Sequence, residues 1–123
     1  MIATVYAVFG SREEAERVAA AVVEEELAAC ANILAPCRSI YRWQGAVQTA
    51  EEVPALFKTR QESGEKLVAR IAALHSYEVP AVVLWPIRHA EPSYAQWVLE
   101  STGIRIPYAN NAVLLDFPPP PAT

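Results

Sequence analysis

Gln44-Gly45 stands between two long strand-like runs, and that arrangement limits what this chain can become. Gln-Gly is a hairpin turn signal. The run before it, over 30–43, is bent at Pro36. Within its S-I-Y-R-W stretch, Tyr41 and Trp43 share one face and Ile40 and Arg42 the other. The run after it returns over 46–60. Strands usually hold about five or six residues. A hairpin this long therefore overhangs the core of a domain built from only 123 residues. Its edges leave backbone donors and acceptors unpaired, which favours an oligomer. Pro54 cannot donate to a ladder and marks an edge position or a bulge.

The flanking segments supply a small sandwich. Residues 2–9 alternate and are rich in Val, Tyr and Phe, which predicts a strand. Gly10 breaks it, and Ser11 followed by Glu14 is a capping box. Ala15, Val18, Ala19, Val22 and Val23 then recur at helical spacing, predicting a helix over 12–28. Glu24, Glu25 and Glu26 read as a solvated face, unfavourably placed against the helix dipole. A second amphipathic helix is predicted over 63–74, then a loop over 75–80 and a central, apolar strand over 81–87. Glu91-Pro92-Ser93 opens a third helix carrying Tyr94, Trp97 and Val98, which stops before Gly103. The remainder holds one short strand before a stiff run of four prolines. The order βαβ–βαβ predicts an α+β, ferredoxin-like sandwich, with an antiparallel sheet and helices on one face. One domain spans 1–117, and 118–123 is a Pro-rich flexible tail.

Charge excludes some partners. The net charge is −4 with scattered basic residues, so neither nucleic acid nor an anionic membrane is expected as a main partner. No basic segment precedes a long apolar run, so no signal peptide is expected and the predicted location is cytoplasmic.

Few residues suggest chemistry. Cys30 and Cys37 are too few for a disulfide framework or a structural zinc site, and read as reduced thiols. Cys30 would become a nucleophile if His75 lay beside it; burial as a small hydrophobe is the commoner fate. Glu13-Glu14 and Glu51-Glu52 read as surface charge, because neighbours on one element point apart. His89 reads as a solvated loop histidine. Lys58 sits in an apolar strand end, either snorkelling to the surface or facing an anion. Trp43, Trp85 and Trp97 read as core or interface mass.

Five segments in order, E-E-E-L-A-A-C-A-N-I, S-I-Y-R-W-Q-G, E-E-V-P-A-L-F-K-T-R, H-S-Y-E-V-P and Y-A-Q-W, resemble the CutA family of divalent-cation tolerance proteins over about 2–101. The resemblance implies a ferredoxin-like fold and a tight homotrimer whose long hairpins continue one another's sheets. It is similar in architecture to the PII proteins, which bind small ligands in clefts between subunits. It implies copper or other divalent-cation binding, no cofactor needed for folding, and no enzymatic reaction. The family's motif residues kept here are Cys30, Tyr41, Trp43, Gly45, Lys58, His75, Tyr77, Pro80, Tyr94 and Trp97. By this resemblance His75 and Cys30 are the metal ligands, and Tyr41, Trp43, Lys58, Tyr77 and Trp97 line the ligand cleft. Ser76, Ala81, Ala7 and Leu74 depart from the family pattern, and the departures at Ala7 or a near neighbour and at Leu74 reduce the copper set. Three functions follow: a trimeric Cu²⁺ or divalent-metal protein, a PII-like module for a small anionic ligand, or a trimeric scaffold.

Overall fold

The computed structural model describes residues 1–108 and 111–115, with side chains through 103. The tail expected at 118–123 lies outside the described residues. The elements are β1 (Ile2–Phe9), α1 (Arg12–Glu24), β2 (Cys30–Ile33), β3 (Cys37–Trp43), β4 (Ala46–Arg60), α2 (Gly64–Leu74), β5 (Val82–Pro86), α3 (Pro92–Ser101), β6 (Ile104–Tyr108) and β7 (Asn111–Leu115).

The 15 residues of β4 organise the sheet. Its second half lies between β1 and β2, from Ile2↔Arg60 to Phe9↔Val53 on one side and from Cys30↔Lys58 to Ile33↔Ala55 on the other. Its first half pairs only with β3, from Cys37↔Glu52 to Trp43↔Ala46, and projects beyond the sheet. The overhang read from strand length is therefore present. Gln44 and Gly45 both take positive φ, 52° and 82°, as the two-residue turn of a right-twisted hairpin requires.

The structure revises several boundaries. The expected 30–43 strand is two strands on one edge of β4, broken between Ile33 and Cys37, where Pro36 has no N–H to give. Helix α1 ends at Glu24 rather than near 28. Glu26 turns left-handed at φ 61°, and the amides of Glu26 and Leu27 bond back to the Val23 and Val22 carbonyls, closing the helix end without a glycine. The acidic triple is partly used: Glu25 takes a forked bond from Arg70 at 2.9 and 2.7 Å, tying α1 to α2. Strand β5, expected to be central, pairs with β1 alone at the edge of the order β2-β4-β1-β5. The single short strand expected after Gly103 is a pair, β6 and β7.

The two sheet faces differ. Val5, Ala7 and Phe9 alternate onto one face beside Phe57, Ala55 and Val53, under Ala15, Val18 and Val22 of α1 and Leu67 and Ile71 of α2. Each such large side chain contributes about 1.5–3 kcal/mol by burial. The opposite face carries Thr4, Tyr6, Leu56, Lys58, Cys30, Asn32, Val83 and Trp85 by register. Helix α3 crosses one end of it, where Ile2, Ala29 and Val98 form a separate small core. Helices thus occupy both faces, two on one and the third over part of the other. Among the described residues the remainder of that second face is left open, with Val83 43% and Trp85 49% exposed.

Candidate functional site

The residues expected to share one cleft lie in three places. The first is the loop after α2. His75 ends that helix with extended backbone, and its side chain is fully buried. Nε2 lies 2.7 Å from the Val8 carbonyl, which can only accept, so the proton sits on Nε2. Nδ1 then accepts the Tyr77 amide at 3.1 Å. The ring stacks on Phe9 with centroids 4.8 Å apart and meets Tyr77 at 4.7 Å. Both ring nitrogens are engaged by protein groups.

Two carboxylates hold the rest of this loop. Glu14 accepts the Ser76 amide at 2.7 Å and the Ser76 hydroxyl at 3.0 Å, and its Oε2 lies 3.6 Å from His75 Nδ1. Burial pushes the Glu14 carboxyl up, but the two Ser76 bonds and the Gly10 amide oppose it, and the group lies below its ordinary value. The Tyr77 hydroxyl donates to Glu52 at 2.8 Å. Burial first, and then the bond to Glu52, pushes Tyr77 up to about 12. Gly10 lies close beneath it: a Cβ there would come 3.0 Å from the Tyr77 hydroxyl, so a larger residue would require the ring to give by a few tenths of an ångström. Glu52 pairs with Cys37 at the base of the hairpin. The loop therefore clasps α1, β1 and the hairpin root together.

This clasp went unread in the sequence. One member of each acidic pair, Glu14 and Glu52, turns inward toward the loop, where both pairs were expected to be surface charge. The capping box is half-made: Ser11 Oγ accepts the Glu14 amide at 3.1 Å, while the Glu14 carboxylate serves Ser76. The only available signal was that capping box, and it pointed to the wrong partner for the acid.

The second place is the open sheet face. Cys30 Sγ lies 3.4 Å from the Tyr94 hydroxyl, which burial and then this contact push up to about 12. Lys58, directly opposite Cys30, gives its ammonium to Asn32 Oδ1 at 2.8 Å, a neutral partner. Tyr6 stacks on Trp85 at 5.4 Å, and Tyr94 tilts against Trp97 at 5.8 Å. The third place is the hairpin, with Tyr41 toward the Tyr77 side and Trp43 beside the turn. Cys37 lies at the hairpin root with Sγ 3.8 Å from Ser39 Oγ, and both cysteines are free.

His75 and Cys30 are not brought together within one chain. His75 docks at the Val8–Phe9 end of β1, which faces Val53 and Pro54, whereas Cys30 faces Lys58. Four or five strand residues separate these levels, about 15 Å. They also lie on opposite faces of the sheet. The Cys–His nucleophile pairing weighed above is thus absent within the chain. Among the described residues no three of His, Cys, Asp and Glu group as a metal site. No helix among them is long and apolar enough to cross a membrane.

The family model of the CutA1 divalent ion tolerance protein matches residues 3–101. The divalent-cation tolerance protein CutA of Thermus thermophilus is 46% identical over 76% of this chain and 90% of its own length. The chloroplastic protein CutA of Arabidopsis thaliana is 39% identical over 80% of this chain, which spans only 54% of that longer protein. The solved structure of the periplasmic divalent cation tolerance protein CutA from Archaeoglobus fulgidus superposes with a TM-score of 0.80 at 34% identity, covering 83% of this chain and 99% of its own.

Proposed function

The chain belongs to the CutA1 family of divalent ion tolerance proteins, and from that premise we propose that it acts as a cytoplasmic homotrimer that binds Cu²⁺ or a related divalent ion without catalysing a reaction. The observation that carries this reading is the half-covered sheet. Beyond α3, the face bearing Cys30, Lys58 and Trp85 is open among the described residues of one chain, and half of β4 hangs past the sheet. Neighbouring copies would cover that face and supply the second edge of the hairpin. The free thiols Cys30 and Cys37 suit a reducing compartment.

Metal donors are sparse within one chain, so the reading places the binding at subunit boundaries. Cys30 offers a thiolate on the face that neighbours cover. His75 offers Nδ1 only by exchanging the Tyr77 amide for the ion, in a pocket closed to solvent. That exchange predicts modest affinity, with a Cu²⁺ dissociation constant weaker than nanomolar. Calorimetric titration of the metal-free trimer against a competing chelator measures it. Cys30→Ser is expected to weaken binding at least tenfold. Curves identical to wild type in both Cys30→Ser and His75→Ala would remove these donors from the reading.

Lys58 supports a second reading, a PII-like cleft for a small anion. Its ammonium is held by an amide rather than a carboxylate, which leaves its charge available. Losing one charge-assisted bond costs roughly 1.5–3 kcal/mol. Lys58→Ala is therefore expected to abolish most of any thermal shift produced by nucleotides or carboxylates while the trimer persists. No shift with any such anion on the wild type would leave the metal and scaffold readings.

A further inference from the structure

The loop after α2 is layered over one imidazole. The His75 side chain is inaccessible, stacked on Phe9 at 4.8 Å on one side and met by Tyr77 at 4.7 Å on another. Tyr77 itself is 37% exposed, so its ring is a layer between His75 and water. Nδ1 carries the free lone pair of the imidazole, because Nε2 gives its proton to the Val8 carbonyl. Tyr77 covers that lone pair twice, by its ring and by its amide, which sits 3.1 Å from Nδ1. Its hydroxyl is tied in turn to the Glu52 carboxylate at 2.8 Å, at the root of the overhanging hairpin. The covered position suits a cation. Glu14 Oε2 lies 3.6 Å from Nδ1, and imidazole nitrogen with carboxylate oxygen is a donor pair that Cu²⁺ and related ions accept.

We propose that Tyr77 is a latched lid over an ion seat made by His75 and Glu14, with Glu52 as the catch. The inference rests on the metal reading above and adds its regulation. Nδ1 becomes available only when the Tyr77 backbone moves off it, and that movement draws the hydroxyl away from Glu52. An occupied seat and a fastened hairpin root therefore exclude one another. Such coupling is reciprocal: loosening the latch strengthens ion binding, and ion binding loosens the hairpin root by the same free energy. The hairpin is the part that neighbouring copies meet, so the seat reports to the subunit boundary. The sign of the effect separates a latch from plain electrostatics. Removing a carboxylate near a cation ordinarily weakens binding, whereas removing the catch of a latch strengthens it.

The test titrates Cu²⁺ into the full-length wild type, Tyr77→Phe and Glu52→Ala, by calorimetry against a competing chelator. Tyr77→Phe keeps the ring and every charge and removes the bond; Glu52→Ala removes its acceptor. The dissociation constant is expected to fall about fivefold or more in both variants. Amide exchange over 37–39 and 50–52, followed by mass spectrometry, is expected to quicken when the wild type is loaded with Cu²⁺. The same amides are expected to exchange faster already in ion-free Tyr77→Phe. Where the two variants differ, Tyr77→Phe decides, since it leaves the charges in place. Unchanged or weaker affinity in Tyr77→Phe, beside a wild type that binds, would overturn the latch and leave the metal reading standing. Exchange at the hairpin root that responds neither to the ion nor to Tyr77→Phe would also overturn it. No Cu²⁺ binding by any of the three chains would overturn the metal reading, and the latch with it.

Discussion

His75→Ala is expected to destabilise the folded chain by about 3–4 kcal/mol, read as a shift in the urea midpoint in the absence of metal. The imidazole is buried and stacked on Phe9, and it satisfies the Val8 carbonyl and the Tyr77 amide at once. Alanine leaves a cavity and orphans both backbone groups, each worth about 1–3 kcal/mol when buried. An open metal ligand would behave otherwise, since substitutions at exposed sites usually change stability by within about 0.5 kcal/mol. A change of that smaller size would mean that the clasp is not structural. Glu14 gives the same clasp a pH dependence. Its folded pKa is depressed, so the unfolded chain binds the proton more readily as pH falls. Its contribution is complete above the ordinary carboxylate value and is lost as pH drops through the lower, folded one. The stability gap between wild type and Glu14→Gln should therefore narrow from pH 7 to strongly acidic solution. A constant gap would refute the carboxylate's role.

Local pattern carried much of this fold, and the limits of what it carried are physical. Strand β1, strand β4, the Gln44-Gly45 turn and the starts of α1 and α3 follow from period-two alternation, paired turn residues and side-chain caps within a few positions. The end of α1 did not, because Glu26 adopts a left-handed conformation that sequence normally signals with glycine. The place of β5 did not, because an apolar run reports two faces with apolar neighbours and says nothing of whether a strand pairs on both edges. Its Val82 and Leu84 meet the helical core, while Val83 and Trp85 lie on the open face. The clasp was least legible of all. Glu14 meets Ser76 across 62 positions and Tyr77 meets Glu52 across 25, so no local rule links them. The resemblance named His75 and Tyr77 as important residues. The buried contacts add a reason that needs no ligand: they lock the hairpin root to the sheet.

Trp85→Glu is expected to reduce the particle to one third of its mass, by light scattering or sedimentation velocity, while circular dichroism reports an intact fold. In the single chain Trp85 is 49% exposed at the sheet edge, and its described ring contact is the stack on Tyr6. Losing that stack costs about 0.5–1.5 kcal/mol, and a carboxylate there remains in reach of water, so the subunit survives. The assembly faces a different sum. Three-fold closure over this face would desolvate three new carboxylates and bring like charges toward one another, several kcal/mol per group without a partner. Lys58 lies on the same face but is already bonded to Asn32, and pairing it with the introduced carboxylate would require giving up that bond. Folding and association thus respond in opposite degrees to one substitution, which separates them cleanly. An unchanged mass in Trp85→Glu would place the interface elsewhere on the molecule. A wild-type protein already at monomer mass would mean that the open face and the overhanging hairpin serve a partner other than a copy of this chain.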